Sequence, residues 1–348
     1  YRWPRRRLRS KRIGPLWLVG HWYKRSPWLL LLTPLSLLYR MIIALRRAAY
    51  RLGFLKTHSL PVPVIVIGNL AVGGTGKTPL VAWLADRLGQ AGYRPGIVAR
   101  GYGGLATQWP QLVRPDSDPA MVGDEAVMLR RKTGCPMAVG PGRAAAAHAL
   151  LERSDCDLIL SDDGLQHYAL HRDIEIAVID GVRRFGNGLC LPAGPLREPV
   201  KRLKQVDLVV ANGPGEAGEY PMDMQLTVVH PVQGGGAQRS LNSFRGQSVH
   251  AIAGIGNPER FFTALRQAGL RPEEHVFPDH HSFTLADLVF EDDRPVMMTE
   301  KDAVKCRNFA VDNCLYATVT IAMTRGFAVR VTDLLSDTVW VCRMGGWI

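Results

Sequence analysis

The first 60 residues contain no aspartate and no glutamate, although 14 lysines and arginines lie among them. These fourteen positive charges exceed the formal net charge of the whole chain, which is +12. The rest of the chain therefore carries a small net negative charge, and the basic excess belongs to the N-terminal segment alone. A nucleic-acid-binding domain is expected to be basic across its folded face, so nucleic acid is not expected as a partner.

Paired cysteines and internal repeats are also missing. Six cysteines occur in the chain, and none of them forms a C-x-x-C pair or a metal-type cluster. This spacing indicates neither a zinc site nor a disulfide framework. Reduced thiols in a cytosolic compartment are the expectation.

An uninterrupted apolar run of membrane-spanning length is missing near the N terminus. The run at 27–45 contains Pro34 and Arg40, whereas a spanning helix needs about 20 predominantly apolar residues. A signal peptide would have a shorter apolar stretch and a small-residue cleavage site. We expect a helix that lies in or dips into the cytoplasmic leaflet. A single span and a helix that caps the soluble core are the alternatives.

Basic and aromatic residues accompany this run. Residues 1–12 carry seven basic side chains, and Trp17, Trp22 and Trp28 follow them. We expect the tryptophans at the level of the lipid headgroups and the basic side chains on anionic lipid. If the helix instead caps the core, the basic run is merely solvated. Residues 1–58 are accordingly predicted to form a membrane-associated N-terminal segment.

Short apolar runs alternate with helical patterns from residue 59 onwards. The runs are continuous rather than alternating with polar residues, which indicates an α/β fold with a mostly parallel sheet sandwiched by helices. We expect 59–235 to form the larger unit. Its predicted strands are 62–67, 96–100, 136–140, 157–163, 174–180 and 206–212, and its predicted helices include 77–92 and 142–154.

A second, smaller α/β lobe is predicted at 236–325, after the glycine-rich and proline-rich stretches 213–222 and 233–238. Its predicted strands are 248–255, 274–277 and 295–299, and its predicted helices are 258–269, 284–290 and one that begins at Lys301. Clear periodicity ends at about residue 318. The tail at 326–348 receives no predicted role.

The stretch "GNLAVGGTGKTPL", residues 68–80, is typical of a phosphate-binding loop. It follows an apolar strand and opens a helix, so backbone amides and the helix N-terminus can face an anion. Lys77 is expected to reach the terminal phosphates, and Thr78 offers a hydroxyl to Mg²⁺. The strict pattern has glycine where this chain has Ala71, a substitution small enough to be tolerated.

A phosphate-binding loop needs a carboxylate at the end of a neighbouring buried strand to orient the metal ion. The stretch "DLILSDDG" supplies Asp162 and Asp163 at such a strand end. Two adjacent aspartates alone are often only a turn or a helix cap. Together with the loop they indicate a nucleotide site.

The class of nucleotide-binding protein is left open by these residues. The N-K-x-D stretch that reads guanine in GTPases is missing. A kinase needs a general base, and the pair Asp124 and Glu125 or His280 could supply one. These residues could equally be a helix cap and a solvated histidine. The alternatives are a membrane-associated ATPase that acts as a partner switch and a non-enzymatic module that binds nucleotide or nucleic acid.

Eight motifs, in their order along the chain, resemble those of the tetraacyldisaccharide 4'-kinase family. They are "GNLAVGGTGKTP", "RGYGG", "GDE", "SDDGLQHYAL", "VIDGVRRFGNGLCLPAGPLRE", "AGIGNPERFF", "PDH" and "MTEKDAVKC". The resemblance implies transfer of the ATP γ-phosphate to the 4'-hydroxyl of a tetraacyldisaccharide 1-phosphate, which forms lipid IVA in lipid A biosynthesis. It also implies Mg²⁺ as a cofactor and a location at the cytoplasmic face of the bacterial inner membrane.

The same resemblance implies roles for individual residues. Asp124 is similar to the family's base for the sugar hydroxyl, with His280 as its partner and Asp279 as a residue that orients the histidine. Lys77 is implied in catalysis on the transferring phosphate. The residues implied in ATP binding are Ala71, Val72, Gly73, Gly74, Thr75, Gly76, Lys77 and Thr78, those in metal binding are Thr78, Glu125 and Asp162, and those in phosphate or substrate binding are Asp163, Arg143, His167 and Arg197.

Overall fold

The computed structural model describes residues 20–24 and 27–344, with side chains up to residue 337. The predictions for the basic stretch 1–12 and for Trp17 lie outside the described residues. The strands are β1 (Val64–Gly68), β2 (Pro95–Ala99), β3 (Gln111–Val113), β4 (Met137–Val139), β5 (Leu158–Asp162), β6 (Ile174–Asp180), β7 (Leu208–Asn212), β8 (Tyr220–Pro231), β9 (Arg239–Ser240), β10 (Ser248–Ala253), β11 (Arg271–Val276), β12 (Val296–Thr299) and β13 (Cys314–Met323).

Helices connect these strands. They are α1 (Thr33–Arg51), α2 (Lys77–Gln90), α3 (Pro119–Val122), α4 (Asp124–Thr133), α5 (Arg143–Leu151), α6 (Pro258–Gln267), α7 (Glu300–Cys306) and α8 (Arg325–Met344). Short 3-10 helices lie at Pro27–Leu32, Val200–Gln205, Leu241–Phe244 and Leu285–Asp287. The helix predicted at 284–290 is therefore wrong, because only one 3-10 turn forms there, closed by a capping box between Thr284 and Asp287.

One continuous sheet contains every strand of the described chain. Its order is β11-β10-β12-β13-β8-β7-β6-β1-β5-β2-β4-β3, with β9 paired to β8. Most neighbours are parallel, while β13 is antiparallel to β8, β8 to β9 and β3 to β4. The predicted fold class, a mostly parallel sheet sandwiched by helices, is confirmed.

The central strands are buried on both faces. Every residue of β1 is buried, and so is every residue of its neighbour β5. Helix α2 covers one face with a stripe of leucines, Leu80, Leu84 and Leu88, each almost fully inaccessible to solvent. A leucine buried to this extent contributes about 1.5–3 kcal/mol relative to an exposed one. The continuous apolar runs of the sequence are a consequence of this double-sided burial.

The two predicted lobes share the sheet. Strand β8 begins at Tyr220, inside the stretch that was predicted to be a loop, and runs from the larger unit into the smaller one. The tail, which received no predicted role, forms most of α8, and this helix packs Phe327, Val331 and Leu335 into the core of the larger unit. These three positions are spaced by four residues, so they lie on one face of the helix.

Helix α1 leaves most of its apolar side chains in solvent. The helical segment Pro27–Arg51 is long and apolar enough to cross a membrane, and only 11% of its most apolar window is buried. Its opposite side is anchored to the protein, because Ser36 Oγ donates to the Cys190 carbonyl at 2.8 Å and Tyr39 Oη donates to the Arg197 carbonyl at 3.2 Å. This exposed apolar helix favours association with a membrane.

The tryptophans flanking α1 behave differently from one another. Trp28 is 72% exposed, as the membrane prediction requires. Trp22 is only 6% exposed, and its indole N–H donates to the Pro192 carbonyl at 3.1 Å. The predicted headgroup position of Trp22 is therefore wrong, because this side chain attaches the N-terminal segment to the protein body.

Candidate active site

The phosphate-binding loop leaves the carboxyl end of β1 and enters α2 at Lys77. Asn69 shapes it from inside, because its buried side-chain amide donates to the Gly73 carbonyl and to Thr75 Oγ1, both at 3.2 Å. Gly76 has a φ of +95°, and a Cβ at this position would lie 2.7 Å from Asn212 Nδ2. Only glycine fits both constraints, so the helix begins at a fixed point.

The first part of the loop is tied to the segment that carries Arg197. The Val72 amide donates to the Pro195 carbonyl at 2.8 Å, and Ala71 forms a bridge with Leu196. The Val72 amide is therefore already used inside the protein and is not a free donor for phosphate. Free donors come instead from the first turn of α2, whose amides have no partners within the helix.

The predicted metal and phosphate side chains meet at the end of β5, which is the parallel neighbour of β1. Thr78 Oγ1 donates to Asp162 Oδ2 at 3.1 Å. Lys77 Nζ lies 3.6 Å from Asp163 Oδ1, and Arg197 Nη1 donates to both oxygens of Asp163 at 2.9 and 3.0 Å. Two cations therefore share one carboxylate at the mouth of the loop.

Asp162 and Asp163 are adjacent, but their pKa values are shifted in opposite directions. Burial, together with the negative charge of Glu125, raises the pKa of Asp162 to about 7. Burial would also raise the pKa of Asp163, but Lys77 and Arg197 outweigh it and hold that pKa below its usual range. Asp162 Oδ1 is buried and has no hydrogen-bond partner among the described residues. An unpaired, buried carboxylate oxygen beside a threonine hydroxyl fits a divalent cation.

Arg143 and His167 lie behind these aspartates. The buried Arg143 guanidinium donates to the carbonyls of Asp162 and Asp163, each at 3.2 Å, and therefore fixes the turn after β5. The Arg143 amide donates to His167 Nε2 at 3.3 Å. Burial and the nearby positive charges lower the pKa of His167 to about 4, so its imidazole is neutral at pH 7.

Asp124 and His280 form a hydrogen-bonded pair, although 156 positions separate them in the sequence. Asp124 is the first residue of α4 and is almost fully buried, and its Oδ2 lies 3.1 Å from His280 Nδ1. The hydrogen bond to Asp124 raises the pKa of His280. Burial would raise the pKa of Asp124, but the same bond and the nearby lysines lower it.

Two lysines of α7, Lys301 and Lys305, lie beside this pair. Neither of them was given a role from the sequence. Lys301 Nζ lies 3.1 Å from Glu125 Oε1 and 4.0 Å from Asp124 Oδ2. Lys305 Nζ lies 3.9 Å from Asp124 Oδ2 and 2.9 Å from Asp302 Oδ1. Their spacing of four residues on a predicted helix could have indicated them, because it directs both side chains to the same face.

Glu125 joins the two groups of residues. Its carboxylate pairs with Lys301 on one side, while its charge contributes to the raised pKa of Asp162 on the other. The loop, the aspartates of β5 and the pair of Asp124 with His280 therefore line the same cleft. The remaining predicted residues, Gly74 and Thr75, lie in the loop itself, where Thr75 is buried.

The family model described as tetraacyldisaccharide-1-P 4'-kinase, LpxK, matches residues 28–336. The chain belongs to the tetraacyldisaccharide 4'-kinase family. Membership confirms the predicted enzyme class, a kinase, and removes the ATPase switch and the non-enzymatic module as alternatives. The match extends beyond residue 318 and includes most of α8, so this part of the tail belongs to the family's common sequence.

Curated members of the tetraacyldisaccharide 4'-kinase family are similar over nearly the whole chain. The tetraacyldisaccharide 4'-kinase of Nitrosococcus oceani is 57% identical over 320 residues, which are 92% of this chain and 94% of the relative. That of Methylobacillus flagellatus is 51% identical over 322 residues, which are 92% of this chain and 96% of the relative. The resemblance seen in the motifs is therefore a similarity of whole sequences.

A solved structure has the same fold. The crystal structure of LpxK from Aquifex aeolicus, determined in complex with ATP, is 27% identical in sequence and superposes with a TM-score of 0.77. The match covers 88% of this chain and 99% of that one. Together with the family match, this similarity extends from the phosphate-binding loop to the smaller lobe.

Proposed function

We propose that the chain transfers the γ-phosphate of ATP to the 4'-hydroxyl of a tetraacyldisaccharide 1-phosphate and so forms lipid IVA. One observation carries this proposal. In this chain, which belongs to the kinase family, the phosphate-binding loop shares a cleft with the buried carboxylate of Asp124 and its hydrogen-bond partner His280. A loop alone would bind nucleotide. The added pair is what a kinase needs to activate a hydroxyl acceptor.

Phosphoryl transfer depends mainly on the positioning of the reacting groups and on the neutralisation of the phosphate charge. We propose that the loop from Gly73 to Thr78 holds the ATP phosphates through the amides of the α2 N-terminus. Lys77 then neutralises charge on the transferring phosphoryl group, and Arg197 acts on the same group or on the acceptor. Both cations are paired with Asp163 in the described structure, and an arriving phosphate competes with this carboxylate.

Magnesium is proposed to bind at Thr78 Oγ1, Asp162 and Glu125. The raised pKa of Asp162 and its unpaired Oδ1 support this assignment, because a cation supplies the missing partner and favours the ionised carboxylate. When bound, the ion neutralises phosphate charge. Glu125 is half exposed and is paired with Lys301, so its carboxylate remains within reach of the cleft.

Asp124 is proposed as the base for the sugar hydroxyl. Its carboxylate removes the hydroxyl proton as the new oxygen–phosphorus bond forms and the bond to the leaving ADP breaks. The proton is then held by the pair with His280, whose raised pKa favours it there. Lys301 and Lys305 keep Asp124 ionised before the reaction, since both contribute to its lowered pKa. Asp279 orients the segment that carries His280, because its Oδ1 lies 3.2 Å from Lys301 Nζ.

The acceptor is proposed to reach the cleft from the cytoplasmic leaflet of the bacterial inner membrane. Tyr39 of α1 hydrogen bonds the backbone of Arg197, whose guanidinium lies in the cleft. Arg197 therefore connects helix α1 with the phosphate site, since its backbone binds the helix and its side chain lies in the site. This arrangement supports a substrate whose acyl chains stay in lipid while its sugar enters the cleft.

Coupling between ATP turnover and lipid tests the proposal. ADP release should depend on added tetraacyldisaccharide 1-phosphate in detergent, and Lys77→Ala should abolish it without loss of folded protein. Equal ADP release with and without the glycolipid would contradict the proposal.

A further inference from the structure

Two histidines and a glutamate meet on the smaller lobe, away from the cleft. His250 Nδ1 lies 3.1 Å from His275 Nε2 and 3.9 Å from Glu273 Oε2. The three ligand atoms lie within 4.8 Å of one another. None of these residues belongs to the motifs from which the kinase function was inferred.

The parallel pairing of β10 and β11 creates this cluster. His250 is opposite Glu273 in the register, and Ile252 is opposite His275. Because side chains two positions apart on a strand point to the same face, Glu273 and His275 both project beside His250. The cluster is thus fixed by backbone hydrogen bonds of the sheet rather than by a loop.

We propose that this cluster is a binding site for a first-row divalent transition ion, with Zn²⁺ as the ion that its ligands favour. Two imidazoles and one carboxylate suit zinc and not Mg²⁺, which prefers oxygen ligands. In a tetrahedral site with bonds of about 2.0–2.1 Å, the ligand atoms are about 3.3 Å apart. The histidine nitrogens already lie close to that separation. The Glu273 side chain is half exposed, so it can rotate towards the ion.

The surroundings of His250 resemble the outer shell of a metal site. Its other ring nitrogen, Nε2, lies 3.0 Å from Asp292 Oδ1. A carboxylate that accepts this N–H directs the free lone pair of Nδ1 towards the cluster, as it does for metal-bound histidines. The Phe290 ring stacks on His250 with centroids 3.7 Å apart, so the ring orientation is fixed.

The local charge permits a dication. Among the residues that the structure describes, the arginine in an ion pair with this cluster is Arg294, which pairs with Glu273 Oε2 at 2.7 Å and with Asp292 Oδ2 at 2.7 Å. One arginine against two carboxylates leaves a net negative charge. Arg294 can keep Asp292 while Glu273 offers its second oxygen to the ion.

An ion at this site would fasten the edge strand of the sheet. Strand β11 has a neighbour on one side only, and the segment after it carries Asp279 and His280. Ligands from β10 and β11 would join the two strands through their side chains. We therefore expect Zn²⁺ to raise the thermal unfolding temperature of the full chain.

Equilibrium dialysis of the full chain in detergent against Zn²⁺, with Mg²⁺ in excess to occupy the cleft, tests the site. We expect one zinc ion per chain by elemental analysis. His275→Gln and Glu273→Gln should lose this ion, and Asp292→Asn should weaken its binding by about 10- to 100-fold. His148→Gln, which changes an exposed histidine on α5, should retain it and serves as the control.

The outcomes are separable from the kinase proposal, because the readouts are bound metal and unfolding temperature. Unchanged far-ultraviolet circular dichroism of each variant shows that it folds. Zinc retained equally by wild type and by both ligand variants would overturn the site, and so would wild type that binds no zinc. In either case the cluster is only a hydrogen-bonded histidine pair.

Discussion

At the residue scale, the pKa values of the carboxylates in the cleft are shifted in different directions because their neighbours differ. Asp124 and Asp163 each have cations close by, and these lower their pKa values despite burial. Asp162 is the exception, since its burial and the charge of Glu125 raise its pKa to about 7. A lowered pKa suits Asp124 for removing a proton and Asp163 for pairing with cations. The raised pKa of Asp162 suits a carboxylate that binds a metal ion.

The proton-accepting pair predicts the pH dependence of the reaction. The raised pKa of His280 means that its protonated form persists above the usual value of about 6.5, and a pair that already holds the proton cannot accept another. At saturating Mg²⁺, kcat/KM should therefore fall as the pH drops through a value above 6.5. His280→Gln should lower kcat by about 10²–10⁴-fold and should remove this acid limb. An unchanged acid limb in the variant would show that another group titrates.

Replacing Asp162 separates metal binding from folding. Its folded-state pKa lies above the ordinary aspartate value, so ionisation destabilises the nucleotide-free protein increasingly from about pH 4 to pH 7 and fully above it. Asp162→Asn should raise the free energy of unfolding at pH 8 by about 1–3 kcal/mol, because it removes a buried negative charge that ionises only at this higher pH. The gain should nearly vanish at pH 4.

Denaturant unfolding without Mg²⁺ at both pH values measures this effect. The same variant should lose stabilisation by Mg²⁺ and ATP together. A variant that is less stable than wild type at pH 8 would contradict the assignment of Asp162 as an unpaired metal ligand.

At the scale of elements, the smaller lobe contacts the phosphate-binding loop through a short relay. Arg260 of α6 donates to Asn212 Oδ1 at 2.7 Å. The side-chain amide of Asn212, at the end of β7, donates to the Thr75 carbonyl at 2.9 Å. One helix and one strand thus fix one carbonyl of the loop. The relay explains why Asn212, an amide at a strand end, is buried.

The relay predicts an effect on ATP binding. Arg260→Ala removes a charged hydrogen bond worth about 1.5–3 kcal/mol and leaves Asn212 without its partner. We expect KM for ATP to rise by roughly tenfold or more, with a smaller change in kcat. Arg266→Ala changes an arginine on the same helix that pairs with Glu259 and Glu274 and donates to Thr263, away from the loop, and it should leave KM unchanged. Steady-state kinetics with varied ATP measures both, and equal effects would contradict the relay.

The sequence predicted six strands of the larger unit, β1, β2, β4, β5, β6 and β7, because each is a continuous apolar run, and it missed the short strand β3. It did not predict β8, which alternates between buried and exposed residues and contains Pro221 and Asp223. The loop and the aspartates of β5 were predicted because each lies at the end of such a strand. The contact between Asp124 and His280 could not be predicted from spacing, since it requires the packing of α4 against α7, whose Lys301 lies beside His280.

At the scale of the whole molecule, the catalytic body and the membrane helix are joined on one side. Helix α1 exposes a stripe of apolar side chains while its polar side hydrogen bonds the segment 190–197. The stripe consists of Leu35, Leu38, Ile42 and Leu45, which follow the helical repeat, and it is extended by Leu31 of the preceding 3-10 helix. The site is therefore oriented towards whatever surface covers this stripe.

Charges in the stripe should weaken membrane binding. The double substitution Leu38→Glu with Leu45→Glu removes two exposed leucines, each of which would contribute about 1.5–3 kcal/mol when buried in lipid. We expect association with vesicles that contain anionic lipid to fall by more than about tenfold, as measured by sedimentation. Val289→Glu replaces an equally exposed valine on the smaller lobe and should have no effect. Unchanged association of the double variant would show that α1 does not contact lipid.

The position of the transferred phosphate tests the central claim most directly. The full chain is incubated with Mg²⁺, ATP carrying ¹⁸O in its γ-phosphate, and tetraacyldisaccharide 1-phosphate in detergent, and the lipid is analysed by tandem mass spectrometry. We predict one labelled phosphate per lipid at the 4'-position, equal in amount to the ADP formed, and none with Asp124→Asn. ADP formed without labelled lipid, or a label at another hydroxyl, would contradict the account.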